Sequence, residues 1–413
     1  MIGRIFTGKT DLAKTRSSCL FVSSLFPPPL IGGSLVYYHY LFSQCTARDL
    51  VVATQKHEQA PAFDADLSYR VHRSFLFLDP DGPRLPRLVS YILMMPAVVT
   101  WIIRYRVAVV HVGFWNDLIP SWLACIATNR KLMVTIHGEE LTRLRSAGRG
   151  RLYKALWKIH ERIFTRALRQ ADRVQANSNF TKSVLLGRGV SLDRIVVTTP
   201  GVDLDKVKIL DDCSTDFNFR FGDKRILLTV GRLQHRKGQN MVLAALPELL
   251  IRHPDLHYVM AGGSTPQMRE YFESLVRELH LEGHVTILTD LSNKAIASLY
   301  RECEIFVMAN REMPDGDTEG YGIVFLEAGA WGKPVIGGRA GGAVEAVDDG
   351  VTGLLVDGQD PSDIAAAVGR LLNDPDMARR MGEAGRAKVS RNTWDVKSEH
   401  YCCLLRQMDE GAR

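Results

Sequence analysis

The chain has 413 residues, of which 46% are apolar and 24% charged, an ordinary globular composition that excludes intrinsic disorder, collagen-like repeats and small disulfide-rich scaffolds. Residues 1–200 hold 27 Lys and Arg against 13 Asp and Glu, whereas residues 201–413 hold 25 against 33. The first half therefore carries a net charge of +14 and the second a net charge of −8, so we expect the first half to face an anionic partner.

The seven cysteines form no C-x-x-C pair, which favours buried thiols in a reducing compartment over a disulfide framework or a zinc site. The apolar run 19–26 leads directly into three prolines and lacks a small-residue cleavage site. We interpret this run as a buried strand and not as a signal peptide, and we expect a cytoplasmic protein.

Short apolar runs alternate with helical patterns along the chain, which predicts parallel α/β layers covered on both faces. In the first half the predicted strands are 19–23, 50–54, 107–112, 132–136, 173–176 and 195–198. In the second half they are 225–230, 258–261, 285–288, 305–308, 334–336 and 353–356. The polar stretch around residues 206–221 separates the two sets and is the best candidate for a linker.

The sequence therefore predicts two similar α/β domains with a linker between them. In chain order the predicted segments are a basic tail over 1–16, a first domain over 17–205, a linker over 206–221, a second domain over 222–392, and a C-terminal helix over 393–413 that packs back on the first domain. The longest apolar run, 88–103, contains Pro96 and is shorter than the ~20 residues of a membrane-spanning helix. We predict a mostly buried helix there; an apolar patch touching a membrane and a true span are the alternatives.

Several glycine-bearing loops follow predicted strands, and ligands of open α/β sheets bind beyond the carboxyl ends of strands. Gly32 and Gly33 precede a helical pattern, whose free amides suit a phosphate, with a plain turn as the alternative. His137 ends a strand next to Gly138 and is a candidate to face the cleft, although a structural histidine is the alternative. A further loop, 262–264, is a weak candidate to contact a base.

Arg232 and Lys237 flank a tight turn between a strand and a helix. A guanidinium fork and a lysine point charge together suit a diphosphate, with a solvated basic turn as the alternative. No P-loop and no G-x-G-x-x-G turn occurs after a strand, which argues against ATPases and NAD-dependent dehydrogenases.

The strongest pattern is EGYGIVFLEA, in which Glu319 and Glu327 lie eight residues apart. We predict Glu319 in a loop and Glu327 one turn inside a helix, with the amides near Gly322 and Ile323 directed at an anion. Carboxylates accept hydrogen bonds from hydroxyls, so this arrangement suits a sugar diphosphate. The alternative is a structural glutamate at a helix start and a paired glutamate within the helix. The nearby Asp315-Gly316-Asp317 is interpreted as turn chemistry and not as a metal site.

Ten basic residues lie between positions 143 and 173, opposed by only Glu161 and Asp172. Lys154, Lys158, Arg162 and Arg166 recur at i, i+4 spacing, which predicts one stripe on an amphipathic helix that also carries Trp157. Such a helix is a candidate for an anionic membrane surface, and the alternative is a solvated face on a core-packed helix.

Taken together, these motifs resemble the retaining GT-B glycosyltransferases of family 4, over residues 18–395. The resemblance rests on G-G-S, H-G-E-E-L, T-P-G-V-D, G-R-x-x-x-x-K-G, E-x7-E and GKPVIGGRAGGAVEAVDDGVTGLLV. It implies two Rossmann-like domains facing a central cleft, an acceptor-side first domain and a nucleotide-sugar-binding second domain. The layout is similar to that of phosphatidylinositol mannosyltransferases.

The same resemblance implies roles for single residues. Arg232 and Lys237 would bind the donor diphosphate, and the Gly33 backbone would approach it. Glu327 would hold the ribose hydroxyls. Glu319 would contact the transferred sugar, and His137 would lie near that sugar.

The resemblance also implies metal-independent retaining transfer of a hexose, with mannose slightly favoured, to a lipid-linked or cell-surface glycan acceptor. The alternatives from other classes are a GT-B nucleotide-sugar epimerase and a nucleic-acid-binding protein. The nucleic-acid alternative is weak because no recognised module is present and aromatic residues do not interleave with the basic stripe.

Overall fold

A computed structural model describes residues 18–28, 33–46, 48–77, 84–138, 151–204, 207 and 221–411, and it gives the backbone alone for 84–91 and 151–156. The predicted tail 1–16 and all of the predicted linker except residues 207 and 221 lie outside the described residues. The described part forms two parallel α/β units, so the predicted fold class is confirmed.

The first unit is built on a parallel sheet. Its strands are β1 (Cys19–Val22), β2 (Leu50–Gln55), β3 (Arg70–Ser74), β4 (Val109–Val112), β5 (Lys131–Ile136), β6 (Arg173–Ala176) and β7 (Ile195–Val197). Its described helices are α1 (Gly33–Leu41), α2 (Ala60–Ala65), α3 (Arg84–Tyr105), α4 (Leu118–Thr128), α5 (Arg151–Gln170) and α6 (Asn179–Gly187). The strand order is β3-β2-β1-β4-β5-β6-β7, so the order reverses between β1 and β4, where ligands bind in doubly wound sheets.

Strand β3 corrects the sequence analysis, which predicts six strands in this half. The segment Arg-Val-His-Arg-Ser has a single aliphatic residue, and four of its five residues are half-buried. β3 is the edge strand and pairs only with β2. An edge position tolerates charged side chains, so the apolar signal that reveals the central strands is missing here.

The second unit repeats the arrangement. Its strands are β8 (Arg225–Val230), β9 (Leu256–Ala261), β10 (Val285–Leu288), β11 (Ile305–Met308), β12 (Val335–Gly338) and β13 (Gly353–Val356). Its described helices are α7 (Gln239–Arg252), α8 (Pro266–Glu278), α9 (Asn293–Glu302), α10 (Ile323–Ala330), α11 (Ala343–Ala346), α12 (Pro361–Asn373), α13 (Pro375–Ser390) and α14 (Trp394–Glu410). The strand order is β10-β9-β8-β11-β12-β13, which reverses between β8 and β11.

Alternate side chains of β1 enter two different cores. Leu20 and Val22 join a core formed with α3, α4 and α5, whereas Cys19 and Phe21 join one formed with α1 and α14. Helix α14 therefore covers the first sheet although it follows the second sheet in the sequence. The chain crosses between the units twice, and the crossings are hydrogen-bonded: Val202 N donates to Asn392 O at 3.0 Å.

Helix α3 contains the apolar run 88–103, of which the side chains of residues 88–91 lie outside the described ones. From Ile92 onward the helix is buried on one face only. Met94, Val98 and Trp101 lie in the core, whereas Ile92 and Ile103 are each 67% exposed. The expectation of a mostly buried helix therefore holds for its inner face, and the outer face presents apolar side chains. Among the described helices none combines the length and the apolar character needed to cross a membrane.

A row of buried polar groups crosses the first sheet beneath α14. His111 is fully buried, and its Nδ1 lies 2.6 Å from the Tyr401 hydroxyl while its Nε2 lies 2.7 Å from Thr135 Oγ1. Thr135 Oγ1 donates to Gln175 Oε1 at 2.9 Å. Burial lowers the pKa of His111 to about 3, so the imidazole is neutral at physiological pH.

Replacing Tyr401 with Phe tests this row. The substitution leaves a buried imidazole nitrogen without its partner, and we expect a cost of about 1–3 kcal/mol, seen as a lower thermal unfolding temperature. The matched control is Tyr271→Phe, because Tyr271 is exposed and its change should stay within about 0.5 kcal/mol. Equal unfolding temperatures for the two variants would contradict a stabilising role for the His111 row.

Candidate functional site

The loops at the carboxyl ends of the two sheets touch each other. The loop after β5 and the loop before α10 are so close that a Cβ atom at Gly320 would overlap the His137 carbonyl oxygen. At a second place Glu345 reaches across to the start of α6, where its carboxylate accepts from the amides of Asn179 (2.9 Å) and Phe180 (2.8 Å). The site is therefore a narrow cleft between the units.

His137 lies directly after β5, on the first-unit wall of the cleft. Its Nε2 lies 2.9 Å from the Tyr38 hydroxyl, which itself donates to Gly113 O at 2.6 Å. Because the Tyr38 proton is used in that bond, Nε2 is the donor and carries the imidazole hydrogen. The rings of Tyr37 and Tyr38 meet the imidazole edge to face at 5.0 and 5.2 Å and fix its plane.

Glu319 lies on the opposite wall and is held by two cations. Its Oε2 accepts from Lys237 Nζ at 2.6 Å and from Arg236 Nη1 at 2.8 Å. Burial alone would raise the pKa of Glu319, but the two positive charges outweigh it and hold the pKa at about 2. The pKa of Lys237 is lowered, because burial outweighs the attraction of Glu319. Lys237 and Glu319, assigned separate roles from the sequence, are in direct contact.

The turn that carries these cations depends on one glycine. A 3-10 turn over His235–Lys237 joins β8 to α7, and Gly238 closes it with φ +77°. A Cβ atom at Gly238 would overlap the Ala309 carbonyl oxygen at the end of β11. This close approach sets Lys237 against the loop that carries Glu319. Arg232 is exposed at the start of the same turn, and its charge contributes to the lowered pKa of Lys237.

Helix α10 begins at the cleft, opposite the start of α1. Gly322 caps it with φ +90°, and Ile323 is its first residue. A Cβ atom at Gly33 would lie 4.0 Å from Ile323 Cδ1, so the amino ends of α1 and α10 face each other. Because helix starts favour anions, two helix starts that lie this close together are a candidate anion site. Gly32 lies outside the described residues.

Glu327 lies on the second turn of α10 and is half-buried. The Tyr300 hydroxyl, from α9, donates to Glu327 Oε2 at 2.8 Å. Burial and the neighbouring carboxylate raise the pKa of Tyr300, so it remains a donor. This bond helps to fix the orientation of the Glu327 carboxylate.

The acidic turn before Glu319 is engaged in local bonds. Asp317 N donates to Asp315 Oδ1 at 3.1 Å, and Asp317 Oδ2 lies 3.3 Å from Arg236 Nε. Within the described residues no group of three or more His, Cys, Asp and Glu side chains is arranged to hold a metal ion.

The predicted basic stripe lies on α5. Lys158, Arg162 and Arg166 are exposed, and the side chain of Lys154 lies outside the described residues. Trp157 is half-buried, packs against the core and stacks on His160 at 5.1 Å. Among the described side chains of α5, the exposed large apolar residues are Ile159 and Ile163, so these and not Trp157 accompany the basic stripe at the surface.

Four site residues escape the sequence analysis: Arg236, Tyr38, Tyr300 and Glu345. Arg236 occupies a variable position of G-R-x-x-x-x-K-G, and its neighbour Lys237 is the only available signal. Tyr38 and Tyr300 are recognised as site residues only through their contacts in the structure, with the imidazole of His137 and the carboxylate of Glu327. Glu345 follows Gly341-Gly342 in a stretch that the resemblance includes without a role.

Comparison with known proteins identifies the family. The model for glycosyl transferases group 1 matches residues 214–388, and the model for glycosyltransferase family 4 matches residues 31–206. A Mycolicibacterium smegmatis protein named GDP-mannose-dependent alpha-(1-6)-phosphatidylinositol monomannoside mannosyltransferase is 35% identical over 293 residues, or 68% of this chain and 72% of that protein. The chain belongs to glycosyltransferase family 4. It is a glycosyltransferase, and the resemblance drawn from its motifs is confirmed.

Other similar proteins agree. A Corynebacterium glutamicum protein named GDP-mannose-dependent monoacylated alpha-(1-6)-phosphatidylinositol monomannoside mannosyltransferase is 29% identical over 92% of this chain and 95% of its own length. Anabaena HepE in complex with UDP and glucose superposes with a TM-score of 0.74 at 18% identity, over 95% of this chain and 100% of that chain. Sucrose-phosphate synthase from Thermosynechococcus elongatus superposes with a TM-score of 0.75 at 23% identity, over 95% of this chain and 100% of that chain. These structures share the GT-B fold.

The close approach at Gly238 predicts a matched pair of variants. In Gly238→Ala the new Cβ meets the Ala309 carbonyl and the left-handed backbone is strained, so the turn shifts and the protein unfolds at a lower temperature, by about 1–3 kcal/mol of stability. Gly263→Ala is the control, because its Cβ meets nothing within 4 Å. Indistinguishable thermal unfolding of the two variants would contradict the described packing of the turn.

Proposed function

We propose that the protein transfers mannose, with retention of configuration and without a metal ion, from GDP-mannose to a lipid-linked acceptor. The observation that carries the donor side is that Lys237, the buried carboxylate of Glu319 and the starts of α1 and α10 lie in one cleft. The choice of GDP-mannose and of a lipid acceptor is supported by the names of the relatives from M. smegmatis and C. glutamicum.

On this proposal the diphosphate lies between the turn after β8 and the start of α10. Arg232 and Lys237 pair with its oxygens, the amides of Gly322 and Ile323 donate to it, and Gly33 lets the backbone of α1 approach. These groups supply the positive charge that a divalent cation supplies in metal-dependent enzymes. A site built in this way needs no metal.

The remaining residues of the site contact the sugar and the ribose of the donor. Glu327, whose Oε2 accepts from Tyr300, also accepts from the ribose hydroxyls. Glu319 accepts from the sugar hydroxyls, and His137 lies across the narrow cleft from it. The Nε2–Tyr38 bond directs the other edge of the imidazole, Nδ1, away from Tyr38.

In the reaction, the bond from sugar C1 to the β-phosphate oxygen breaks and the acceptor oxygen bonds to the same face of C1. The acceptor proton passes to a β-phosphate oxygen, so no side-chain nucleophile is needed. Negative charge grows on the diphosphate as C1 gains positive character. Arg232, Lys237 and the helix amides are already in place for that charge, which is how preorganised electrostatics lowers a barrier.

Donor binding is tested with Lys237→Ala and Glu327→Ala. Each removes a charged hydrogen-bonding group, worth about 1.5–3 kcal/mol, so GDP-mannose affinity measured by calorimetry should fall roughly 10–150-fold. The controls are Lys224→Ala at the other end of β8 and Glu248→Ala on the exposed face of α7, which should bind as the wild type does. Wild-type affinity in both site variants would contradict the donor site.

The same preparation separates transfer from epimerisation. Mass spectrometry and NMR of a reaction with GDP-mannose and a phosphatidylinositol-containing lipid extract should show a mannosylated lipid, with the α-linkage of the donor retained. An epimerised nucleotide sugar formed without acceptor would instead favour the epimerase. A β-linked product would exclude retention.

A lipid acceptor requires the enzyme to approach a membrane, and the first unit offers a surface for it. Helices α3, α4 and α5 are neighbours, and their outer faces combine basic and apolar residues. Among their described side chains, the exposed large apolar residues are Ile92, Leu93 and Ile103 of α3, Leu123 and Ile126 of α4, and Ile159 and Ile163 of α5. Lys158, Arg162 and Arg166 supply the charge that attracts anionic lipid.

Charge reversal tests this surface. The triple variant Lys158→Glu, Arg162→Glu, Arg166→Glu should lose binding to anionic vesicles, by about 1 kcal/mol or more for each residue. The control is Arg252→Glu, Arg370→Glu, Arg380→Glu, which changes three exposed charges of the second unit. Flotation at low and moderate salt measures both, and equal binding of the two triple variants would contradict the assigned surface.

A further inference from the structure

Arg236 is a buried arginine at the centre of the site to which the family motif assigns no role. Its side chain is 5% exposed, less than those of Lys237 (11%) and Glu319 (12%). Its Nη1 donates to Glu319 Oε2, and its Nε lies 3.3 Å from Asp317 Oδ2. A hydrogen bond to Glu319 and an ion pair with Asp317 therefore orient the guanidinium, whose side chain is less exposed than that of the lysine.

The two cations compete for the same oxygen. Among the described contacts of the Glu319 side chain, Lys237 and Arg236 both donate to Oε2. A donor diphosphate carries more negative charge than one carboxylate, so its arrival draws Lys237 away from Glu319. Arg236 remains, because Asp317 and Glu319 bind it and the backbone of its turn is fixed by the bond from Arg311 N to Arg236 O at 3.0 Å.

We propose that Arg236 is a positioning residue that keeps Glu319 ionised and turned toward the donor sugar once Lys237 has engaged the diphosphate. The proposal rests on the proposed function. It assigns the two adjacent cations of the turn to different partners: Lys237 to the phosphate, and Arg236 to the carboxylate that contacts the sugar.

Without Arg236, Glu319 would bind the sugar hydroxyls poorly. Burial favours the protonated carboxyl, and without Arg236 the pKa of Glu319 rises once the lysine is engaged elsewhere. A protonated carboxyl donates one hydrogen bond and loses acceptor capacity for sugar hydroxyls. With Lys237 and Arg236 both bonded to Glu319, its pKa is about 2. Once Lys237 has moved to the diphosphate, Arg236 is the cation that still lowers this pKa, so we expect Glu319 to stay ionised across the assay range of about pH 5–9 in the wild type.

The experiment compares Arg236→Met with the wild type and with Lys237→Ala. For Arg236→Met we expect GDP affinity within about twofold of wild type, and a kcat for transfer from GDP-mannose lowered about tenfold or more. Its kcat should fall further as pH decreases from 8 to 5, an acid limb that the wild type lacks. Lys237→Ala should lose GDP affinity, and Arg236→Lys should recover part of the kcat.

A matched control accounts for the loss of an ion pair as such. Arg225→Met removes a bidentate arginine–carboxylate pair with Glu304 at the opposite end of β8, at 2.8 and 2.5 Å. It should lower the unfolding temperature without creating an acid limb. If Arg236→Met does not fold, the same measurements are made on Arg236→Gln. If neither variant folds, Arg236 is a structural residue and the proposal is overturned.

The outcomes separate this inference from the function on which it rests. Wild-type kcat and pH profile in Arg236→Met would overturn the inference and leave the transferase intact. A parallel loss of GDP affinity in Arg236→Met and Lys237→Ala would overturn it too, because Arg236 would then bind phosphate. A wild-type protein that transfers from no nucleotide sugar would overturn the proposed function, and the inference with it.

Discussion

A carboxylate buried between two cations organises this cleft. Taking the Glu319 charge out of water is costly unless partners compensate it, and Lys237 and Arg236 do so from a single turn. The turn reaches Glu319 because Gly238 lets it close against the end of β11. On the other side the Glu319 carbonyl accepts from Gly342 N at 2.8 Å, which fixes the backbone of the loop. Gly238 and Gly342 therefore both help to position the charge of Glu319.

The rest of the site is assembled by the approach of the two units. Gly320 meets the His137 carbonyl, Gly33 faces Ile323, and Glu345 accepts from amides at the start of α6. Helix α14 returns to the first sheet, and the two crossings of the chain are bonded to each other near Val202. Neither unit contains the site alone, so a change in their separation would alter every distance across the cleft.

The sequence predicts much of this architecture because central parallel strands are buried on both faces and therefore read as apolar runs. β3 is missed because an edge strand tolerates Arg70, His72 and Arg73. The outer face of α3 cannot be told from its inner face, since Ile92 and Ile103 are as apolar as Met94 and Val98. Hydropathy reports the residue and not the direction in which it points.

The candidate site, unlike the fold, is predicted from the sequence only residue by residue and not as a set of contacts. Glycines, paired glutamates and a basic turn each carry a local signal, so the positions of Arg232, Lys237, Glu319 and Glu327 follow from motifs. Contacts between distant segments leave no local signal in the sequence. Lys237 and Glu319 are hydrogen-bonded although 82 residues separate them, and Tyr300 donates to Glu327 from another helix. Such pairs are set by tertiary packing.

The most direct measurement is a crystal structure of the protein with bound GDP-mannose. We expect phosphate oxygens within hydrogen-bond distance of Lys237 Nζ and of the amides of Gly322 and Ile323, the sugar against Glu319, and Arg236 still bonded to Glu319. A diphosphate bound elsewhere, with Lys237 still on Glu319, would contradict it.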